Sequence, residues 1–576
     1  MIKKILFCIM LVLASMCYSL EIQAGTVVAV GSIKSLDALW EKAEDITGVS
    51  ENEKLITGLG SLKFLFTENG LVGMVVDTSR PVGVVMFHAE KEKFPFIGFW
   101  AIPVNDWGKL ETCIKKLGVK LEKQEDGIWN LDSQHILNFP RIIYGKKLDN
   151  WFLISDNLTA FEQNVDFVKY ITENTERVDV GFSVFLSDLP EEYKKMAVRT
   201  VDEFLLRVHR ENCSGEAEIV ESMSGSLKKI APDVIRVLND LERITYGHIW
   251  NKEKDEYTLG VTVIGKGGTK VAQELEACGK MRRTNFAGFS CPDATLVVTH
   301  NWQMSPFLKE IVNLHLNLCM EKHKEKISEK KKEIPEEVKG LFVEKHALVE
   351  KFFQEGKMEG AVMVKITDSQ DAVFAGGFAV PDGYACEAHF LKSVEFLKKH
   401  KAEFIKEVSP KYETSKRDDL RIYSWKCPVK SLRRLSADES FLHTDVKKCE
   451  FISKFQEGDE LPVAVIYAPK AVYFAVGKDA KIVLEKCLAD SKDQKDVPAF
   501  QVKLSLMDVL RNVVSSKLFD DYADDGEKLE EFLKKAVKRI GDAGRGEVFL
   551  EQVPEKNGMQ IRFRATTSAI KMLKGI

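Results

Sequence analysis

Apolar and polar residues alternate with the period of a β-strand in many short stretches of this chain. The runs 82–87 and 96–102 flank a charged segment, and the runs 361–366 and 372–380 flank a second polar segment. Strand-like runs of this length joined by a few polar residues are typical of β-hairpins. The same alternation predicts a further hairpin over residues 246–264, which turns at a charged tetrapeptide.

Two of these hairpins carry similar residues at similar places. The first contains Gly-Val-Val-Met from Gly83 and ends in Trp-Ala-Ile-Pro at Pro103, whereas the second contains Gly-Ala-Val-Met from Gly360 and ends in Phe-Ala-Val-Pro at Pro381. The two glycines lie 277 positions apart and the two prolines 278. Self-similarity at one spacing indicates an internal duplication.

Helical patterns with one apolar face lie between the hairpins, so hairpins and helices do not alternate strictly as they would in a parallel sheet. The sequence therefore predicts an α+β fold of two homologous halves, each a mainly antiparallel sheet covered by helices. The halves are predicted as residues 25–287 and 288–576, with the boundary near Gly288 and Pro292. A run rich in Lys and Glu, about 322–337, predicts a charged helical insertion in the second half.

The amino terminus has the composition of an export signal. Two lysines precede an apolar run over residues 5–14, which is too short for a comfortable membrane span. We expect residues 1–24 to be a signal peptide and the mature protein to be periplasmic or secreted. Acylation at Cys17 is disfavoured because Met16 stands where a small residue normally precedes a lipidated cysteine.

Charge and hydropathy exclude two classes of partner. The chain has 83 Lys and Arg residues against 87 Asp and Glu, and no basic stripe with interleaved aromatic residues stands out, so nucleic acid is not an expected partner. No stretch after the signal approaches about 18 uninterrupted apolar residues, so we expect no integral membrane span in the mature chain. An envelope protein or a small ligand remains as the expected partner.

One cluster of residue types could bind a metal. His315, Cys319 and His323 follow one another at intervals of four, which places them on one side of a helix. Imidazole and thiolate groups suit zinc or copper. The alternative is a solvated helix face, because Leu314 and Leu318 mark an adjacent apolar side and the following residues are rich in lysine.

Four tryptophans occur within about fifty residues and could line a ligand surface. They are Trp100, Trp107, Trp129 and Trp151. Two of them stand at positions that Phe378 or a tyrosine occupies in the second half, so core packing is the favoured interpretation.

The segment Pro292-Asp-Ala-Thr-Leu296 leads into a predicted strand. In this feature, and in its exported and duplicated layout, the chain resembles a loose group of uncharacterised secreted or periplasmic bacterial proteins. The first half reads Ala24-Gly-Thr-Val at the corresponding place. The resemblance covers both halves in outline and implies no activity, so it assigns no catalytic residue.

No nucleophile elbow and no zinc-protease motif occurs, and no cofactor motif is present. Our first hypothesis is an exported, non-catalytic protein that binds or scaffolds something in the cell envelope. A carrier of a lipid or another apolar ligand is the second. An exported hydrolase is the third, with acidic residues that sequence spacing does not pair.

Overall fold

The structure is a computed structural model, and two compact units make up the chain. Unit 1 comprises Met1–Leu275 with Glu555–Gln560, and unit 2 comprises Glu276–Pro554 with Ile561–Ile576. The residues that the structure describes are 26–39, 75–88, 96–116, 119–124, 127–132, 142–196, 235–251, 253–304, 309, 336–366, 372–400, 413–417, 419–428, 460–492, 495–515 and 545–575.

The described residues form strands and helices whose bounds follow. The strands are β1 (Val27–Ile33), β2 (Val82–His88), β3 (Phe96–Pro103), β4 (Lys120–Lys123), β5 (Ile128–Asp132), β6 (Ile142–Leu148), β7 (Trp151–Ser155), β8 (Val180–Phe185), β9 (Leu241–Asn251), β10 (Glu256–Gly265), β11 (Arg282–Thr284), β12 (Leu296–Gln303), β13 (Lys357–Ile366), β14 (Ala372–Ala379), β15 (Glu413–Arg417), β16 (Leu420–Pro428), β17 (Glu460–Ala468), β18 (Ala471–Gly477), β19 (Lys495–Val497), β20 (Phe500–Ser505), β21 (Glu547–Glu555) and β22 (Gly558–Thr566). The α-helices are α1 (Trp107–Lys116), α2 (Phe167–Arg177), α3 (Lys270–Gly279), α4 (Glu336–Glu355), α5 (Gly383–His400), α6 (Ala480–Asp490), α7 (Leu506–Ser515) and α8 (Thr567–Gly575).

The sheet corrects the predicted fold class. Apart from the short pair β11–β19, the described strands belong to one 20-stranded, mostly antiparallel sheet, and strand residues outnumber helical ones. The prediction of two homologous α+β halves, each with its own helix-covered sheet, is therefore wrong, and no clear duplication into two halves is shown. The physical reason is that a hairpin pattern specifies a strand and its nearest partner only. The free N–H and C=O groups of an edge strand can pair with any further strand, so local sequence does not say where a sheet ends.

In unit 1, β1 lies between β2 and β8. On one side the order continues through β2, β3, β7, β6, β5 and β4, and on the other side it continues through β8, β9 and β10. The predicted hairpins 82–102 and 246–264 are observed as β2–β3 and β9–β10. In unit 2, β12 lies between β13 and β20. From β13 the order continues through β14, β18, β17, β16 and β15, and β20 pairs next with β21.

Helix α2 covers one face of the sheet in unit 1. Phe167 and Ile171, four residues apart and therefore on the same side of the helix, pack in a buried cluster with Val30, Val85 and Phe99 of the strands. The strand residues belong to one face because side chains alternate along a strand. Near the carboxyl end of α2, Asn174 bonds to Ser32 of β1 and to Ser183 of β8, next to the site described below.

In unit 2, helix α6 covers the sheet through Leu484 and Cys487, which share a buried cluster with three aromatic residues. The Phe289 and Tyr473 rings stack with an interplanar angle of 3° and a centroid distance of 6.3 Å, and Phe286 lies beside them. Among the helices formed by the described residues, none combines the length and apolarity needed to cross a bilayer.

Candidate ligand-binding site

A cavity of about 280 Å³ lies within unit 1 beside the paired ends of β8 and β9. Most of its surface is apolar, and its lining residues come from the first turn after β1, the start of β8 and the β9–β10 hairpin. They are Lys34, Ser35, Ala38, Leu39, Asp179, Val180, His248, Ile249, Trp250 and Tyr257. An apolar cavity with a few converging polar groups is the usual form of a small-molecule site.

The β9–β10 hairpin places aromatic rings on this wall. Trp250 pairs with Tyr257 across the two strands, and His248, two residues before Trp250, lies on the same face. The ring centroids of Trp250 and Tyr257 are 6.2 Å apart, and those of His248 and Tyr257 are 5.6 Å apart. Each ring is half-buried, so part of each remains available to a ligand.

His248 and Tyr257 form a hydrogen bond between the imidazole Nδ1 and the phenol oxygen. Burial lowers the pKa of His248, because the cationic imidazolium loses hydration. Burial, together with the neighbouring Tyr246, raises the pKa of Tyr257 to about 12. At neutral pH both side chains are therefore uncharged.

A neutral imidazole and a neutral phenol carry two polar hydrogens between them. One is used in the bond between His248 and Tyr257, whichever group donates it, so the pair keeps one donor and one acceptor for other partners. Such a pair can orient a hydroxyl, an amide or a ring nitrogen. It has no net charge with which to hold an ion.

Asp179 ties three strands together at the edge of the cavity. Its backbone N–H donates to the carbonyl of His248 at 2.9 Å, and its own carbonyl accepts from the Lys34 N–H at 2.7 Å. Its side-chain Oδ2 accepts from the backbone N–H of Trp250 at 2.8 Å. Asp179 therefore holds the residue after β1 and the carboxyl-terminal end of β9 next to each other.

The close approach of Val178 to the sheet depends on two paired glycines. Gly181 of β8 and Gly247 of β9 stand opposite each other. A Cβ atom on Gly247 would lie 2.2 Å from Cγ1 of Val178, and one on Gly181 would lie 2.4 Å from its Cγ2. Because both positions lack a side chain, Val178 can pack onto the sheet and place Asp179 at the cavity.

The opposite wall is a helical turn over residues 36–39 that begins at Ser35. The Ser35 hydroxyl accepts from the Ala38 N–H and donates to the carbonyl of Thr78, both at 3.1 Å. A serine that caps a helical turn satisfies one of the free N–H groups at that end. The turn presents Ala38 and Leu39 to the cavity, so this wall is largely apolar.

The Ser35 hydroxyl and several buried carboxylates have partners among the described residues. The Ser35 hydroxyl donates to a main-chain carbonyl, not to a base, so Ser35 and His248 do not form an activated nucleophile. Several buried carboxylates of unit 2 are paired with cationic side chains. Glu387 bonds to Arg421, Glu551 bonds to Arg564, and Glu359 contacts a lysine.

The predicted metal ligands His315, Cys319 and His323 lie outside the described residues, so the zinc or copper site stays a prediction. Among the side chains that the structure does describe, no three His, Cys, Asp or Glu residues converge as a metal site requires. The predicted signal peptide, residues 1–24, also lies outside the described part of the chain.

The predicted core role of the tryptophans is confirmed for three of the four. Trp129 and Trp151 are buried, and Trp107 packs edge-to-face on Trp129 with ring centroids 6.3 Å apart. Trp100 differs, since 54% of it is exposed on β3.

Sequence reasoning did not nominate the residues of the cavity. A signal was nevertheless present, because Tyr246, His248 and Trp250 recur at every second position of a predicted strand and Tyr257 follows on its hairpin partner. Aromatic residues on one face of a hairpin can be recognised from period-two spacing. The part played by Asp179 could not be recognised in this way.

Comparison of the chain with protein-family models, curated proteins and solved structures gives no match.

Proposed function

We propose that this chain is an exported, non-catalytic binding protein of the cell envelope. Its cavity in unit 1 takes a small, uncharged, largely apolar molecule that carries one hydrogen-bonding group. The observation that carries the proposal is the neutral His248–Tyr257 pair on the wall of a mostly apolar cavity.

The lining supports this class of ligand in two ways. Trp250 and Leu39 offer apolar surface, whose burial against a ligand stabilises the complex by about 25 cal/mol per Å². The His248–Tyr257 pair supplies one donor and one acceptor, so a ligand hydroxyl can both give and receive a hydrogen bond. The charges of Lys34 and Asp179, which also line the cavity, are opposite in sign, and the His248–Tyr257 pair carries none, so an ionised ligand would lose its hydration without gaining a net opposite charge.

Export is supported by the two lysines and the apolar run over residues 5–14. Expression from the native start codon, followed by mass measurement of the amino terminus in the periplasmic and cytoplasmic fractions, tests it. We expect the periplasmic form to have lost the first 19 to 24 residues. A full-length protein confined to the cytoplasm would contradict export without bearing on the cavity.

Binding is tested with three probes that share one ring system: 2-naphthol, naphthalene and 2-naphthoate. Isothermal titration of the purified chain should show the order 2-naphthol, naphthalene, 2-naphthoate from tightest to weakest. One added hydrogen bond contributes about 0.5–1.5 kcal/mol, so 2-naphthol should bind roughly two- to tenfold tighter than naphthalene.

Two variants and a control locate the site. The double variant His248→Leu with Tyr257→Phe removes every donor and acceptor of the pair, so it should abolish the preference for 2-naphthol while leaving naphthalene affinity nearly unchanged, and Trp250→Ala should weaken both. Trp100→Ala removes an exposed tryptophan from another strand and should change neither. Tighter binding of 2-naphthoate than of 2-naphthol, or equal losses in Trp250→Ala and Trp100→Ala, would contradict the proposal.

A further inference from the structure

A second cavity, of about 310 Å³, lies within unit 2 between helix α4, the end of β14 and the start of α5. Its lining is almost entirely apolar. The residues are Leu348, Val349, Lys351, Phe352, Phe353, Phe378, Val380, Pro381, Asp382 and Cys386. Phe378 remains 38% exposed although it belongs to a strand, so a large apolar ring faces open space here.

The spacing on α4 makes this wall continuous. Leu348 and Phe352 are four residues apart, as are Val349 and Phe353, so each pair lies along one line of the helix. The Phe352 and Phe353 rings meet edge-to-face with centroids 5.3 Å apart. The result is an apolar groove with one continuous wall on α4, along which an alkyl chain could contact both pairs.

One positive charge at this groove, that of Lys351, forms no ion pair with the described residues. Other lysines next to α4 are matched, since Lys392 contacts Glu344 at 2.5 Å and Lys399 contacts Glu337 at 2.6 Å. Lys351 is exposed and makes no ion pair with any residue in the described part of the chain. A cation at the mouth of an apolar groove is complementary to a molecule with an apolar tail and one anionic end.

Of the other two polar groups of the groove, Asp382 is an anion whose charge is offset at a helix N-terminus, and Cys386 is neutral. Asp382 accepts hydrogen bonds from the backbone N–H groups of Tyr384 and Ala385 at the start of α5, which commits its Oδ1 to capping that helix. Burial, and then the nearby Asp382, raises the pKa of the Cys386 thiol, so this side chain stays protonated and behaves as an apolar group.

We propose that this groove binds the alkyl chain of a free fatty acid, with the carboxylate of the ligand paired to Lys351. This site is separate from the cavity of unit 1, and the inference does not depend on the function proposed for that cavity. The apolar lining sets the affinity, and Lys351 sets the preference for a carboxylate end.

The test is isothermal titration of the purified full chain with octanoate, decanoate, 1-decanol and decyltrimethylammonium. Affinity should rise about fourfold for each methylene added from octanoate to decanoate. Decanoate should bind roughly two- to fivefold tighter than 1-decanol, because an exposed ion pair adds little, and decyltrimethylammonium should bind more weakly than either. Saturating 2-naphthol should not compete, since it occupies the other unit.

Matched variants assign the binding. Lys351→Gln should remove the preference for decanoate over 1-decanol, whereas Lys345→Gln, an exposed lysine of the same helix outside the groove, should leave it intact. Phe378→Ser should weaken both ligands at least tenfold. Equal affinities for decanoate and 1-decanol in the unaltered chain, or identical behaviour of the two lysine variants, would overturn the assignment. Binding to vesicles of phosphatidylcholine and phosphatidylglycerol without binding of decanoate would overturn it as well.

Discussion

Asp179 and Trp250 are 71 positions apart in sequence, and the side-chain Oδ2 of Asp179 accepts the backbone N–H of Trp250 at 2.8 Å. This bond lies at the point where β9 leaves its pairing with β8, whose last paired residue on β9 is His248. The side chain of Asp179, the residue before β8, therefore holds β9 two positions beyond the last backbone pair. Without it, the end of β9 that carries Trp250 would be held by β10 alone.

Asp179→Ala should loosen that end of β9. A hydrogen bond to a charged acceptor contributes about 1.5–3 kcal/mol, and removing the acceptor leaves the Trp250 N–H without a partner. We expect faster amide exchange at Trp250 and a several-fold loss of 2-naphthol affinity. Asp179→Asn keeps an acceptor oxygen and should retain most of both properties. Equal exchange rates in the two variants, measured by hydrogen–deuterium exchange over residues 246–251, would show that the bond does not position the strand.

Gly247→Ala should damage the same site from the other side of the sheet. The added Cβ would meet Val178 at 2.2 Å, and Val178 immediately precedes Asp179. Overpacking of this kind costs roughly 1–3 kcal/mol. We expect a lower urea midpoint and weaker 2-naphthol binding.

Gly340→Ala is the matched control for that substitution. Gly340 lies in α4 with open space around its Cβ position, so alanine there should stabilise by about 0.5–1 kcal/mol through helix propensity. If Gly247→Ala were as harmless as Gly340→Ala, the close approach of Val178 would not be needed for the site.

Local patterns predicted the hairpins but not the sheet that joins them. The β9–β10 pairing could be read from alternation and a charged turn, and so could the common face of His248 and Trp250. The pairing of β8 with β9 could not be predicted from local sequence, because it joins segments more than fifty residues apart. It depends on which strand edge is available to pair with β9. For the same reason the similar segments at Gly83 and Gly360 suggested two separate sheets where the structure has one.

The candidate sites illustrate the same limit. Tyr246, His248 and Trp250 could have been grouped from sequence, since their spacing alone places them together. Asp179 and Ser35 reach the cavity only through long-range contacts, with the main chain at His248 and Thr78 respectively. Acidic and hydroxyl residues are frequent along the chain, so nothing local distinguishes these two from the rest.

Glu359→Ala should destabilise unit 2 where the segment before the Phe286–Phe289 turn docks. The Glu359 side chain is fully buried, and its Oε1 accepts the Asn285 N–H at 2.7 Å and the Thr284 hydroxyl at 3.3 Å. Alanine would remove this acceptor from the buried Thr284 hydroxyl and from the Asn285 N–H, at a cost of roughly 1–3 kcal/mol. We expect a lower urea midpoint and lost exchange protection over residues 284–289.

Lys357 provides the control, because it contacts the other oxygen of Glu359 at 2.5 Å but is 53% exposed. Lys357→Met keeps the acceptor for Asn285 and Thr284 but leaves the fully buried Glu359 carboxylate without its cation, so it should lower the urea midpoint while keeping exchange protection over residues 284–289. An equal loss of protection in the two variants would mean that the ion pair, and not the bond to Asn285, holds the segment.

Glu551 should make unit 2 sensitive to acid. Burial alone would raise the pKa of this carboxyl, but hydrogen bonds from Arg564 and Gln501 and the charge of Arg562 outweigh burial, so its pKa lies below the ordinary 4.5. A carboxyl with a lowered folded-state pKa stabilises the fold above its unfolded-state pKa, and this stabilisation is lost as the pH falls through the folded-state value.

The urea midpoint of unit 2 should therefore decline below about pH 4.5 more steeply in the unaltered chain than in Glu551→Gln. At neutral pH the variant should be the less stable of the two, because it has lost the charge that both arginines contact. Glu485→Gln, at an exposed position of α6, should reproduce the pH profile of the unaltered chain. A Glu551→Gln profile parallel to the original would refute the assignment.

Binding of 2-naphthol should weaken in acid because of His248. Burial lowers the pKa of this imidazole below 6.5, so it is neutral at pH 7 and takes up a proton only as the pH falls through its lowered value. Protonation gives both ring nitrogens a hydrogen and places a charge beside Tyr257, which removes the acceptor that a ligand hydroxyl would use. Affinity should be constant from pH 8 to about 6.5 and fall below that range.

His248→Asn keeps hydrogen-bonding groups without this titration and should give a flat profile by isothermal titration. An equal decline in both proteins would show that His248 is not the source of the pH dependence.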